Sequence, residues 1–541
     1  MTPIPDWQVK ALQKRKERDS NIPKEWILED PVPEDRKNVM DIPYTCGIMT
    51  PKELKLTEKD ATELIGLLSE GKVSSYDLTL AFCKRAAICQ QVTNCLAEVF
   101  FDEGLKRAKE LDEILAKTGK TVGPLHGLPF SIKDQWNIKD KPTAAGFVAW
   151  IDNIADEDAF LVRILREAGA VFYCKTTNPQ TLMHLETESN IYGRTLNPFN
   201  RGLTPGGSSG GEGAIVGFRA SPIGLGADGG GSIRVPAACV GKYGMRSTSQ
   251  RVPIMGLKLP NGGATPVVGG PICHSARDNE LFFKIVLATK PWLLDPSLVP
   301  MPWREVPEPS KLKIGYFIDD GLVKAHPPVQ RAILSLVDEL RSKAPEKFEF
   351  VEWNPLDHDK GYDIIRKSYF MDGGAKNYEA MAISGEPVLD NSAWILKESH
   401  TKLRSVSEVW DICEERDVYR QQYAQHWNST GVDVLLCPWS SGVAFRHGMS
   451  KYWGYTAMWN LLDYPSITFP SGYTVDPNID VKLPVEPRQN EFDAYIQSTY
   501  VPEEFRDAPI DVQLVARCWQ DEELFASLRL IERTLGRSVD L

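Results

Sequence analysis

No stretch of the chain approaches the ~20 consecutive apolar residues that a membrane helix requires, so no membrane partner is expected. The N-terminal MTPIPDWQVKALQKRKERD lacks the apolar core of a signal peptide, and the terminal SVDL is neither a peroxisomal nor an ER-retention tail. A cytoplasmic protein is the expectation. The ten cysteines are scattered, mostly through apolar segments, with no CxxC anywhere, which speaks for buried free thiols and against a zinc site or redox pair. Positive charge is outnumbered: 62 Lys and Arg against 73 Asp and Glu give a net charge of −11, with an isoelectric point near 5.4. Lys14-Arg15-Lys16 is the single dense basic block. That balance argues against nucleic acid as a main partner and suits a small or neutral substrate. Histidine is also scarce, at eight residues, and sequence alone selects none of them for a Ser-His-Asp triad. Asn428-Ser-Thr fits a glycosylation pattern, which without a secretion signal is chance.

What is present is globular material: 541 residues, 42% hydrophobic and 25% charged, with no internal repeat and no low-complexity linker. Residues 1–55 are rich in proline and charge and read as an arm wrapping the surface, with the main domain over 56–541. Regular structure is expected from Thr57, as the N-cap of a helix carrying Leu64, Leu67 and Leu68. Further helices are expected from Ser75 and over Glu103 to Lys117. Leu128–Lys133 reads as a strand, Ala159–Ala168 as a helix stopped by Gly169, and Ala170–Cys174 as a buried strand. Later strands are expected at 314–318, 348–351, 432–436, 467–469 and 512–515, with a closing helix from Asp521 to Leu535. Such alternation predicts an α/β fold, one large α/β/α domain with a mixed central sheet covered by helices. The polar segment from about 300 to 430 reads either as an insertion or as an outer layer of that domain.

Two glycine-rich stretches lie close together, PGGSSGGEGAI from Pro205 and GLGADGGGSIRVPAAC from Gly224. The second contains a literal GxGxxG at Gly224, Gly226 and Gly229. A dinucleotide fingerprint needs a preceding strand, a helix opening at the glycines and an acidic residue ~20 positions on. No Asp or Glu follows until Asp278, and Pro236 falls where the helix would begin. The P-loop pattern fails too, because Gly241-Lys242 is followed by Tyr243. Gly207-Ser-Ser-Gly210 matches the G-x-S-x-G elbow only loosely. His126, near the strand of Lys133, reads as structural. A serine nucleophile with a lysine base remains. Lys133 follows Phe130 and Ile132 in an apolar strand, where burial favours the neutral amine that a base requires.

The stretches Gly206–Ile215, Gly226–Ala237 and Leu128–Asp134 together resemble the amidase signature family. Flanking agreement runs through 122–130, 175–182, 193–198 and 269–275 and covers most of the chain. Leu80–Ile88 and Val299–Arg304 are similar to the fungal acetamidase branch. The resemblance implies a Ser–Ser–Lys triad, with Ser232 as nucleophile, Ser208 as bridging serine after a cis peptide bond and Lys133 as general base. It implies an oxyanion hole of backbone N–H groups from Gly229, Gly230, Gly231 and Ser232, with no metal and no cofactor. It further implies an amidase acting through an acyl-enzyme on a small aliphatic, acetamide-like carboxamide, with a homodimer as the implied assembly. Other readings are a larger aryl or lipid-like amide or ester, a glutamine-hydrolysing amidotransferase subunit, and a non-enzymatic relative. This chain departs from the family pattern in having Ala227 where a threonine is common and Gly229 where a larger residue is common. It also has Met245-Arg-Ser-Thr248 after the signature. The extra glycine is expected to loosen the oxyanion loop.

Overall fold

The computed structural model describes residues 4–258, 265–482, 484 and 490–537. Its strands are β1 (Leu96–Val99), β2 (Pro129–Lys133), β3 (Val171–Thr176), β4 (Glu188–Ser189), β5 (Gly193–Arg194), β6 (Ile223–Asp228) and β7 (Tyr243–Arg246). They continue with β8 (Val268–Cys273), β9 (Leu312–Tyr316), β10 (Phe348–Glu352), β11 (Val434–Cys437), β12 (Ser466–Thr474) and β13 (Pro509–Val515). β4 and β5 pair separately. The others form one 11-stranded sheet in the order β1-β3-β2-β6-β8-β7-β12-β13-β11-β9-β10. Two parallel trios, β3-β2-β6 and β11-β9-β10, flank an antiparallel centre.

β2, β3 and β6 are buried along their whole length, which is why they read as continuous apolar runs rather than alternating ones. Helices cover them. Ser75–Thr93, capped by Ser74 accepting the Asp77 N–H at 3.0 Å, and Phe101–Thr118 pack on this end of the sheet. Pro327–Lys343 packs on β12 and β13. The architecture is the mixed α/β/α domain that the alternation predicts.

Three local expectations change. The helix expected from Thr57 starts at Ala61, capped by Asp60, whose carboxylate accepts the Glu63 N–H at 2.9 Å. Thr57 instead closes an earlier helix, Pro51–Thr57, where its hydroxyl bonds back to Leu54 O and accepts from Arg85. Regular structure begins earlier than expected, with a helix over Asp6–Ser20, and the division after residue 55 falls inside Pro51–Thr57. The basic block on that first helix turns partly inward. Lys14 pairs with Glu98 of β1 at 2.8 Å, and Arg15 donates to the carbonyls of Ile191 and Asn190. Finally, the segment around 300–430 shares the central sheet. β9 pairs with both β10 and β11, and the helix His358–Tyr369 packs against the helix Gly454–Leu462. His126 accepts the Val122 N–H at 3.2 Å, within its own loop.

Asp60 also makes a two-pronged ion pair with Arg277, at 2.7 and 2.9 Å. Replacing it by alanine removes both the cap and the pair. Asp60→Ala is therefore expected to cost ~0.5–2 kcal/mol, read as a lowered urea midpoint, with kcat unchanged. An unshifted midpoint would contradict the capping role.

Candidate active site

β2 ends at Lys133, and its position sets the ammonium's environment. The residue is buried at the sheet's end, and its Nζ lies 2.8 Å from Ser208 Oγ. The next residue, Asp134, does not neutralise it. Asp134 pairs with Lys175 at 2.8 Å, and among the described residues no carboxylate forms an ion pair with Lys133. Burial lowers the Lys133 pKa to about 7, against a smaller upward pull from Asp228 and Glu212. The amine is thus about half neutral at neutral pH and increasingly so above it. Ser208 follows a cis Gly207–Ser208 peptide bond. Its neighbour Ser209 donates its N–H to Ser232 O at 3.2 Å, tying the serine-rich loop to the second glycine stretch.

In that second stretch the literal GxGxxG lies largely in a strand rather than in a phosphate loop. Gly224 and Gly226 belong to β6, and Gly224 is required by a close approach. A Cβ there would stand 1.8 Å from Glu212 Oε2. The objection from Pro236 needs correcting: a short helix, Arg234–Cys239, does open here. Proline is tolerated in a first turn because the N–H it lacks has no intrahelical partner there. What excludes the fingerprint is the placement of its glycines and the missing acid.

Between β6 and that helix runs Gly229-Gly230-Gly231-Ser232, organised around Asp228. The Asp228 carboxylate accepts the Gly231 N–H at 2.8 Å and the Ile233 N–H at 3.2 Å, and it pairs with Arg234 through two 3.0 Å contacts. Burial pushes its pKa up, but Arg234, Asn460 and the backbone donors outweigh it and hold the group well below the carboxylate range. Arg234 is wholly buried and spends its remaining donors on Thr456 O, Ser466, Gln513 and Asn460. The loop carbonyls are held as well. Tyr369 donates to Gly229 O at 3.2 Å and Thr456 to Gly230 O at 2.7 Å.

The expected oxyanion donors therefore divide. Gly231 has committed its N–H to Asp228, whereas those of Gly229, Gly230 and Ser232 bond to no group among the described residues. The loosening expected from Gly229 is also offset, because its carbonyl is anchored by Tyr369. Ala227 sits against Ser209 Oγ, 3.4 Å from both its N and its O.

A crevice of about 10 Å³ lies against Gly230 and Ser232, walled by Met183, Leu185, Tyr369 and Trp453. That is room for about one water molecule. His184 also borders it, but its Nδ1 accepts the Glu186 N–H at 3.2 Å and burial lowers it to about 4. No histidine hydrogen-bonds Ser232 among the described residues. Sequence reasoning missed Tyr369, Trp453, Thr456 and Asn460, which carry no local motif and lie far along the chain. It also gave no role to Glu212, whose setting in a glycine- and serine-rich apolar stretch was a usable signal.

This constellation, a buried lysine of lowered pKa bonded to a serine beside a loop of open N–H groups, is suited to acyl transfer. The amidase family profile matches residues 77–525. An acetamidase of Emericella nidulans is 41% identical over 98% of this chain and 99% of its own length. An acetamidase of Aspergillus oryzae is 38% identical over 99% of this chain and 100% of its own length. Among solved structures, a fatty acid amide hydrolase superposes with a TM-score of 0.94 at 37% identity, covering 98% of this chain and 95% of that one. The chain belongs to the amidase signature family. It is an amidase, an enzyme that hydrolyses amide carbon–nitrogen bonds.

The loop geometry separates three substitutions. Among the described residues a Cβ at Gly229 meets Val267 Cγ2 alone, at 3.1 Å, whereas at Gly231 (φ +130°) it would stand 2.4 Å from Thr456 Oγ1. Gly229→Ala is expected to keep activity within a few-fold, and Gly231→Ala to lose most of it, in parallel kcat/KM measurements. Asp228→Ala leaves Arg234 buried without its anion and is expected to cost ~3–5 kcal/mol in chemical unfolding. Equal tolerance of all three would contradict this account of the loop.

Proposed function

We propose that this amidase cleaves a small aliphatic carboxamide to a carboxylate and ammonia or amine through an acyl-enzyme on Ser232. The observation that carries the reading is the 2.8 Å contact between buried Lys133 and Ser208. Neutral Lys133 takes the Ser208 proton while Ser208 takes that of Ser232, whose Oγ attacks the amide carbon. The tetrahedral oxyanion accepts hydrogen bonds from the N–H groups of Gly229, Gly230 and Ser232, with Gly231 holding the loop through Asp228 rather than donating. Each such donor is worth ~10²–10³ in rate. The proton returns through Ser208 to the departing nitrogen, the C–N bond breaks, and water then hydrolyses the serine ester by the same relay.

What supports a small acyl group is that the acetamidases are similar over essentially the whole chain. The likeness to fatty acid amide hydrolase supports a second reading, the same chemistry on a longer acyl chain. A panel of acetamide, longer aliphatic amides, an aryl amide and glutamine separates them, with kcat/KM expected to fall as the acyl chain lengthens. Ser232→Ala is expected to lose ~10⁴-fold or more of the ammonia release, and Lys133→Ala ~10²–10⁴-fold. Undiminished activity in Ser232→Ala would sink the mechanism.

The pH dependence follows from Lys133. Below its pKa the amine is protonated and cannot accept a proton, so kcat/KM is expected to rise with pH through a midpoint at about 7. An enzyme fully active two units lower would contradict a lysine base.

A further inference from the structure

Behind Lys133 lies a buried carboxyl that the mechanism does not use. Glu212, on the helix Gly210–Gly217, is wholly enclosed. Its Oε2 lies 2.5 Å from Ser131 Oγ and its Oε1 accepts from Thr176 Oγ1 at 2.7 Å. Ser131 is two positions before Lys133 and so shares its face of β2, while Thr176 is the cross-strand partner of Lys133 on β3. The carboxyl is therefore braced by two immediate neighbours of the lysine.

The hydroxyl protons around it can be counted. Ser131 Oγ is 2.5 Å from Glu212 Oε2 and 2.9 Å from Ser221 Oγ, and Ser221 Oγ is 2.9 Å from Ile223 O. The chain ends on a carbonyl, which only accepts. With each contact counted as a hydrogen bond, Ser221 donates to that carbonyl and Ser131 to Ser221, whose Oγ also accepts the Ser131 N–H at 3.2 Å. Ser131 then has one hydroxyl proton for two acceptors, and a proton on the carboxyl completes its contact with Glu212.

We propose that Glu212 is held as a neutral carboxylic acid and is the positioning residue that keeps Lys133 uncharged. When the two groups share one proton, the serine chain retains it on Glu212 rather than on the lysine. Burial independently pushes the Glu212 pKa up to about 8. Of the other ionisable groups facing the pocket, Asp228 pulls the lysine upward less than burial lowers it. Tyr173 and Cys174 of β3 are driven up by burial, and the ionised Asp228 at the end of β6 is paired with Arg234. Gly224 belongs to the same device, since any side chain there would displace the carboxyl.

The inference rests on Lys133 being the base, and Glu212→Gln tests it. Glutamine reproduces the donor to Ser131 and the acceptor for Thr176, so it copies the neutral acid and not the carboxylate. The variant is expected to keep kcat within a few-fold, with the midpoint of the acid limb of kcat/KM unmoved. A fall of that midpoint by ~1 unit or more would show that an anion had been removed and would overturn the proposal while leaving the lysine mechanism intact. A wild type with no acid limb would sink both. Infrared difference spectroscopy reads the proton directly. A protonated-carboxyl C=O band is expected in the wild type at neutral pH and is expected to vanish in Glu212→Gln, and its absence from the wild type would overturn the assignment.

Discussion

The buried ion pair between Asp228 and Arg234 is the joint from which the loop carrying Gly229 to Ser232 hangs. Asp228 ends β6 and Arg234 opens the following helix, so the pair closes a loop over the three glycines and Ser232. Such a pair is costly to desolvate and holds only when its remaining donors and acceptors are met. Here they are met from distant parts of the chain: Asn460 and Thr456 on one helix, Ser466 on β12 and Gln513 on β13. The central sheet and its covering helices thereby fix where the loop's free N–H groups point. Preorganised donors of this kind stabilise developing charge without reorganising during reaction.

A second constraint works in the opposite electrical sense. Asp228 is kept ionised by an adjacent cation, whereas Lys133 is buried and, among the described residues, pairs with no carboxylate. The nearest acid in sequence, Asp134, is drawn away by Lys175. Two charged residue types in one interior are thus driven to opposite states by their partners, the pattern expected where one group must hold structure and another must move a proton.

Much of this was legible in the sequence. The apolar setting of Lys133 predicted a depressed amine because burial alone dominates its pKa, and continuous apolar runs marked the central strands. The Thr57 start failed because both Thr57 and Asp60 are sound N-cap residues, and only the packing of Arg85 and Arg277 selects between them. Pro236 misled because a helix's first turn accepts proline. Tyr369 and Thr456 could not be found, since their roles depend on tertiary placement, with hydroxyls reaching the carbonyls of glycines well over a hundred positions away. The engagement of the Gly231 N–H by Asp228 was equally invisible, because nothing in a run of glycines tells which amide faces inward.

The central claim is that the buried Lys133–Ser208 pair activates Ser232 and no other hydroxyl. The most direct measurement is to react the native enzyme with a fluorophosphonate and locate the adduct by peptide mass spectrometry. One adduct on Ser232 is the predicted result; an adduct on Ser208 or any other residue in its place would contradict the account.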